Sequence, residues 1–219
     1  MGIALCFLPL ILAIVIITLG FKIKLTHQLI ACLIGLIAVL PISFIQYFLP
    51  ELPIIEFSPV LRALLKSILL YGLVEELLKM VALFPLPHKE YTVLNTMLLA
   101  FVMGLALGCF ESVVYYFDHL QIANNKGAQL LYGQIALRIF TSDLIHMACT
   151  GLSGLFVFTC RDKEQKSKVS FFVAAVMLHG VYDFFAGFSG SIKWFSAVVV
   201  LLAIAECRIK YVSLQKDEK

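Results

Sequence analysis

The sequence predicts an all-α membrane protein, a bundle of about seven transmembrane helices. Of its 219 residues, 61% are hydrophobic and 14% charged, and the mean hydropathy is +0.97, far outside the range of a soluble domain. Apolar windows near the roughly 20 residues that cross a bilayer recur along the whole chain. Because no soluble domain fits between them, we predict one integral multi-pass membrane domain over residues 1–219.

The windows predict helices within a few residues at each end. Ser58 is a candidate N-cap for the third helix, with proline at its first position. The first, second and seventh windows lack interior charges and are predicted to be scaffold, so the site should lie on helices between about residues 59 and 188. The windows are Ile3–Gly20, Leu29–Leu49, Pro59–Phe84, Thr92–Phe117, Leu130–Thr159, Val169–Phe188 and Ile192–Cys207.

The distribution of lysine and arginine predicts the orientation, because short basic loops stay in the cytoplasm. Basic residues follow the first, third, fifth and seventh windows, which places the N-terminus outside and the C-terminus in the cytoplasm. Arg62 and Lys66 depart from this pattern and are interpreted as capping the outer end of the third helix. The net charge of +3 is thus topological and needs no nucleic-acid partner. The basic residues used are Lys22, Lys24, Lys89, Arg161, Lys163, Lys166, Lys168, Arg208, Lys210, Lys216 and Lys219.

Ionisable residues within these windows form the functional-site hypothesis. A charge at the bilayer centre costs roughly 2.5 to 3.5 kcal/mol, so such residues persist where they pair, face water or work. Under the predicted topology they line a cavity that opens outward. They are Glu75, Glu76, Lys79, Glu111, Arg138, Asp143, His146, His179 and Asp183.

Two adjacent carboxylates stand inside the third window. Glu75 lies four residues and Glu76 three residues before Lys79, so both can reach the lysine. A self-neutralising salt bridge is one interpretation, but one lysine cannot neutralise two carboxylates. Since two carboxylates in a low dielectric do not both ionise easily, the pair suits general acid–base chemistry or proton transport and should titrate as a unit.

Polar stripes mark the next three windows. Gly104, Gly108 and Glu111 share one side of the fourth, where the glycines permit close helix packing; a merely interfacial glutamate is the alternative.

The fifth window carries Arg138, Ser142, His146 and Thr150 at spacings of four. Such a stripe is typical of an interior wall, although a lone histidine there is often structural. In the sixth, His179 and Asp183 lie one turn apart, which suits two metal ligands or a carboxylate that orients an imidazole. A zinc site would need a third protein ligand, and no HExxH motif is present.

The ordered set Glu75-Glu76-x-x-Lys79, Gly104…Glu111, Arg138…His146 and His179-x-x-x-Asp183 resembles the PrsW family of membrane-embedded proteases. That family is distantly related to the CAAX prenyl endopeptidases and to bacteriocin-immunity proteins. The similarity spans about Leu70 to Gly187. One departure is Leu107, which stands where the second family motif has phenylalanine.

The resemblance implies a peptidase of a bacterial cell membrane that makes the first, extracytoplasmic cut in a single-pass membrane protein such as an anti-sigma factor. Glu75 and Glu76 would activate water, while His146 and His179 would bind a metal or stabilise the oxyanion. Glu111 and Asp183 would complete or orient that set, with Lys79 and Arg138 in support. A zinc ion bound by Glu111, His146, His179 and Asp183 is one version; metal-free catalysis is the other.

Two further functions use the same residues. A proton- or cation-coupled transporter would employ the buried carboxylates as relays, but the sequence has no internal repeat of the kind that transporters often show. A non-catalytic binding or immunity protein on the same scaffold is the second alternative. The intact motif residues favour the protease.

Overall fold

A computed structural model describes residues 2–21, 23–48, 58–87, 91–126, 128–161 and 168–217, with the side chains of 121–128 and 217 excepted. Over these ranges the chain is helical, without strands. A π-helical segment, Ser67–Gly72, joins α3 to α4, and a short 3-10 helix, Gly190–Trp194, precedes α9. The α-helices are α1 Gly2–Phe21, α2 Leu25–Phe48, α3 Pro59–Lys66, α4 Leu73–Leu83, α5 Val93–Lys126, α6 Ala128–Phe140, α7 Ser142–Arg161, α8 Val169–Ala186 and α9 Phe195–Asp217.

The predicted polytopic helical bundle is confirmed, and each window corresponds to one helical rod. Five rods within the described ranges are long and apolar enough to cross a bilayer; the rods at Pro59–Leu83 and Phe195–Asp217 carry more charge. Several residues that predict the orientation lie outside the described residues, so the orientation stays a prediction. These are Lys22, Lys89, Lys163, Lys166 and Lys219.

Helix α5 lies at the centre of the bundle and contacts α1, α2, α6 and α7. Its Leu99, Met103 and Leu107 side chains are almost completely buried. By contrast, α1 and α2 present apolar side chains outward: Leu19 is 81% and Leu40 66% exposed. In a membrane protein such faces contact lipid tails. Polar residues are therefore found on the buried faces of inner helices such as α5 and α7.

Two of the predicted helices are interrupted. The third begins as predicted, with Ser58 Oγ accepting a hydrogen bond from the Leu61 amide at 3.3 Å, but it contains the π-helical segment immediately before the glutamate pair. Short π segments often occur at functional sites because they rotate the residues that follow. The fifth is broken at Thr141 into α6 and α7. The Thr141 hydroxyl donates to the Leu137 carbonyl at 2.9 Å, a local bond that competes with regular helix geometry.

Glycines bring α5 against α7, as the spacing of Gly104 and Gly108 predicts. A Cβ atom on Gly104 would lie 2.5 Å from the His146 carbonyl oxygen, and one on Gly108 would lie 2.9 Å from the Asp143 Cα. Both contacts are with the α7 backbone, so the helices can approach this closely only without a side chain. This crossing sets the depth of His146 relative to α5.

A second small-residue crossing joins the π-helical segment to α8. A Cβ atom on Gly180 would lie 2.5 Å from the Ile68 Cα, and one on Gly72 would lie 2.9 Å from the Gly180 amide nitrogen. Gly180 follows His179 directly, and Gly72 precedes Glu75 by less than one turn. The crossing therefore fixes the distance between the glutamates of α4 and the histidine of α8.

Replacing Gly104 by alanine should destabilise the bundle by about 1 to 3 kcal/mol, because the new methyl group overpacks the α5–α7 crossing. Gly133→Ala is the matched control, since a Cβ atom at that helical position meets nothing within 4 Å. The control should be neutral or slightly stabilising. Thermal unfolding of both variants in detergent measures the difference, and equal midpoints would contradict the packing argument.

Candidate active site

Three helices contribute to one buried cluster of ionisable side chains. Helix α4 supplies Glu75, Glu76 and Lys79; α7 supplies His146, and α8 supplies His179. Their exposures are 5%, 0%, 0%, 3% and 1%, respectively. The structure thus brings together four predicted catalytic residues and the predicted supporting lysine, although they are separated by up to about a hundred positions in sequence.

The Lys79 ammonium lies at the base of this cluster. Its Nζ is 2.8 Å from Glu75 Oε1 and 2.8 Å from Glu76 Oε1. It is also 3.0 Å from His146 Nδ1. The salt bridge expected within the helix is therefore formed with both glutamates. Because one lysine cannot neutralise two carboxylates, His146 and His179 provide the further polar contacts to them.

Glu76 is engaged through both carboxylate oxygens. Its Oε1 lies 2.9 Å from His179 Nδ1, and its Oε2 accepts a hydrogen bond from Ser153 Oγ at 3.1 Å. Together with Lys79, these contacts tie α4 to α7 and α8. A carboxylate with so many fixed partners is well suited to orienting its neighbours.

Glu75 occupies a different position, on the wall of an open cavity. Its Oε1 lies 3.0 Å from His146 Nδ1 and 3.6 Å from His179 Nε2. The same oxygen forms the 2.8 Å ion pair with Lys79, but among the described residues no nitrogen is aligned with it as a hydrogen-bond donor. Such an oxygen can accept a proton or a further ligand.

The two imidazole rings meet edge to face, with centroids 5.0 Å apart. On the side away from Glu75, His146 Nε2 lies 2.9 Å from Glu111 Oε2. Asp183 Oδ2 is 3.9 Å from His179 Nε2, an ion-pair distance rather than a hydrogen bond. Glu111 and Asp183 therefore flank the histidines.

The cavity has a volume of about 630 Å³ and reaches from the cluster to one end of the bundle. Residues towards one end of the bundle also line it, namely Gln46 near the end of α2, Lys66 on α3 and Phe188 just after α8, and we take this end as its mouth. This is the end predicted to face outward. Its polar wall contains Glu75, Glu111, Arg138, Ser142, His146, His179, Tyr182 and Asp183.

Sequence reasoning missed two residues of the polar framework. Ser153, about one turn beyond Thr150 of the polar stripe, donates a hydrogen bond to Glu76. Ser112 lies between Arg138 and Asp143: its hydroxyl accepts from Arg138 Nε at 3.2 Å and donates to Asp143 Oδ1 at 2.9 Å. A serine in an apolar helix carries no signal of its own. The scaffold helix α2 also contributes Gln46 to the cavity wall.

The donor set fits a metal ion. Glu75, His146 and His179 each offer a ligand atom, and these atoms all lie within 4.8 Å of one another. Carboxylate oxygen and imidazole nitrogen are suitable ligands for a catalytic metal. In addition, each histidine has a ring nitrogen on a second carboxylate, Glu111 or Glu76, as is usual for metal-ligating histidines. A buried carboxylate–histidine centre in a membrane bundle is the site expected of a membrane-embedded metallohydrolase.

Comparison with protein-family models identifies the family. Residues 24–205 match the PrsW family of intramembrane metalloproteases, and the chain belongs to this family. It is therefore a membrane peptidase rather than a transporter. No curated protein and no solved structure matches the chain.

Removing the Lys79 ammonium should destabilise the fold strongly. Lys79→Met leaves two buried carboxylates without their shared cation, and breaking a buried ion pair in this way costs about 3 to 5 kcal/mol. Lys210→Met is the matched control, because the Lys210–Glu206 pair at 3.0 Å is partly exposed on α9 and such pairs contribute about 0 to 1 kcal/mol. Unfolding in detergent compares the two variants, and similar losses would contradict the structural role of Lys79.

Proposed function

We propose that this protein is an endopeptidase that makes the first, extracytoplasmic-side cut in a single-pass membrane protein such as an anti-sigma factor of a bacterial cell. The observation that carries this proposal is the open cavity, in which Glu75 and both histidines lie within reach of solvent from one end of the bundle. Amide hydrolysis needs water beside a base, and a bilayer interior supplies none. An open polar cavity meets that requirement.

Glu75 is the proposed proton acceptor for the attacking water. Of the paired glutamates it is the one that lines the cavity, so its carboxylate can reach a water molecule there. Glu76 is proposed to support the reaction through its contacts, since it holds the His179 ring by Nδ1 and shares Lys79 with Glu75. The two adjacent glutamates therefore take different parts in one activation step.

His146 and His179 are the proposed metal-holding residues. The third ligand is Glu75 or one of the flanking carboxylates, Glu111 and Asp183. A mixed set of imidazoles and carboxylate suits zinc. When bound, such an ion lowers the pKa of water and polarises a carbonyl group. Glu111 keeps the His146 ring in place through Nε2, and Glu76 keeps the His179 ring in place through Nδ1. Asp183 lies 3.9 Å from the other ring nitrogen of His179, beside the proposed metal position.

The later steps need a donor for the oxyanion and an acid for the leaving amine. The proton that Glu75 accepts from water can be passed to the amine nitrogen as the peptide bond breaks. In the metal-free version of the reaction, the imidazoles of His146 and His179, which line the same wall, can donate to the developing oxyanion. The cavity thus holds all the groups that hydrolysis requires within one volume of about 630 Å³.

The proposed direction of the cut depends on the topology, which thiol labelling can test. Ser191→Cys places a thiol at an exposed position in the loop predicted to lie outside, whereas native Cys160 is exposed at the end predicted to be cytoplasmic. An impermeant maleimide added to intact cells should label the thiol introduced at position 191 and should label Cys160 only after lysis. The other five cysteines are buried. The reverse pattern would put the cavity mouth in the cytoplasm.

Glu75→Gln should abolish proteolysis while leaving the protein in the membrane, because an amide cannot accept the proton of water. We would compare the membrane proteomes of cells carrying the wild type and this variant, seeking a single-pass protein whose outer segment is shortened. Glu206→Gln on α9 is the control and should behave as wild type. A shortened fragment that persists in Glu75→Gln cells would refute the assignment of Glu75.

The metal content of the same purified variant separates the two roles open to Glu75. A base that is not a ligand leaves the zinc content of Glu75→Gln unchanged, whereas a ligand lowers it together with the activity. His179→Ala provides the reference for a lost ligand. Unchanged zinc in His179→Ala would remove that histidine from the metal-holding set.

A further inference from the structure

We propose that Arg138 forms a subsite that binds a carboxylate of the substrate beside the scissile bond. This inference deepens the proposed function and rests on it. Arg138 lines the same cavity as Glu75, His146 and His179. A peptide that reaches these residues must therefore pass close to its guanidinium group.

The arginine is held from behind by three contacts. Its Nε donates to Ser112 Oγ at 3.2 Å and its Nη2 to Ser142 Oγ at 3.0 Å. The guanidinium carbon also lies 4.8 Å from the centre of the Tyr115 ring, in cation–π contact. These contacts come from α5 and α7, so a flexible side chain is fixed before any substrate arrives.

The anion behind Arg138 does not reach it directly. Asp143 is fully buried and accepts a hydrogen bond from Ser112 at 2.9 Å, so the charges of Arg138 and Asp143 interact through the serine. This arrangement stabilises the guanidinium without covering its cavity side. About a quarter of the Arg138 side chain remains accessible.

On the cavity side, the charge of Arg138 is incompletely matched. Within the described part of the chain its ion pair is with Glu111, at 3.9 Å from Nη2 to Oε2, which is too long for a hydrogen bond. The same Glu111 oxygen lies 2.9 Å from His146 Nε2. Glu111 is therefore committed to the histidine and leaves the guanidinium able to take another anion.

A fixed, partly exposed guanidinium matches a carboxylate better than any other peptide group, because its planar fork forms two parallel charge-assisted hydrogen bonds. Two sources of that carboxylate exist in a peptide: a glutamate or aspartate side chain, and the C-terminal group. Both would sit close to the bond that is cut, since one Glu111 oxygen lies 3.9 Å from Arg138 Nη2 and 2.9 Å from His146 Nε2.

The test uses the purified full-length protein in detergent and a peptide library that varies each position around the cut. Wild type should cleave peptides with glutamate at one flanking position about tenfold or more better in kcat/KM than the glutamine analogues, in line with a charged hydrogen bond. Free-acid and amidated C-termini are compared in parallel. Discrimination at either carboxylate supports the proposal and identifies its source; discrimination at neither overturns it.

Charge reversal distinguishes this role from a structural one. Arg138→Glu should lose the preference for glutamate and favour lysine at the same position, which no loss of stability would produce. Arg208→Glu, at an exposed position on α9, is the control and should keep the wild-type preference. If Arg138→Glu does not fold, Arg138→Lys decides: the charge remains but the fork is lost, so the preference should fall several-fold. An unchanged preference would overturn the proposal.

A binding measurement separates failure of this inference from failure of the proposed function. Fluorescent glutamate and glutamine peptides are titrated into Glu75→Gln protein and their anisotropy is followed. Tighter binding of the glutamate peptide without cleavage by the wild type would keep the Arg138 subsite and remove the proteolysis. Cleavage by the wild type without any glutamate preference would keep the proteolysis and remove the subsite.

Discussion

The rest of the site depends on the buried ion pairs that the Lys79 ammonium forms with Glu75 and Glu76. Both carboxylates lie on the same helix as the lysine, but their remaining partners lie on α7 and α8. Charges placed in lipid are costly, and a salt bridge confined to α4 would leave carboxylate oxygens without donors. If the helices separated, these oxygens would lose their polar partners and would be left in an apolar environment. The cluster therefore favours one arrangement of α4, α7 and α8 over others that bury similar apolar area.

Packing must bring the helices close enough for that cluster to form. Lipid tails are as apolar as the helix surfaces, so hydrophobic burial gives little drive for association within a membrane. The glycine crossings supply the needed proximity: Gly104 and Gly108 against α7, and Gly72 against Gly180 of α8. Each crossing lies within a turn or two of an ionisable residue. Backbone contact and charge compensation thus reinforce each other at the same level of the bundle.

Contacts along a single helix could be predicted from the sequence, whereas contacts between helices could not. The reach of Glu75 and Glu76 to Lys79 follows from helical spacing, and so does the face shared by Gly104 and Gly108. The bond from Glu76 to His179 spans 103 positions and depends on how the helices cross. The π-helical segment and the break at Thr141 could not be predicted from hydropathy either, because one extra residue in a helical turn does not change the hydropathy of the segment.

The resemblance to a family pointed to the candidate site residues but left their individual surroundings undefined. Adjacent glutamates look equivalent in a motif, yet Glu76 is enclosed by three partners while Glu75 lines the cavity. The same holds for Arg138, whose neighbour Ser112 on α5 determines its orientation. Differences of this kind arise from side chains on other helices, which a motif within a single helix cannot contain.

Under the proposed function, the position of the cavity mouth limits where a substrate can be cut. A transmembrane helix must unwind locally before its peptide bond reaches Glu75, and each backbone group exposed to lipid without a partner costs several kcal/mol. At the mouth, marked by Gln46, Lys66 and Phe188, water can satisfy those groups. A segment near the membrane surface can therefore enter the cavity at far lower cost than one at the bilayer centre. Within the proposed function, this cost favours cleavage close to the surface that the mouth faces, and so outside the hydrophobic centre of the substrate.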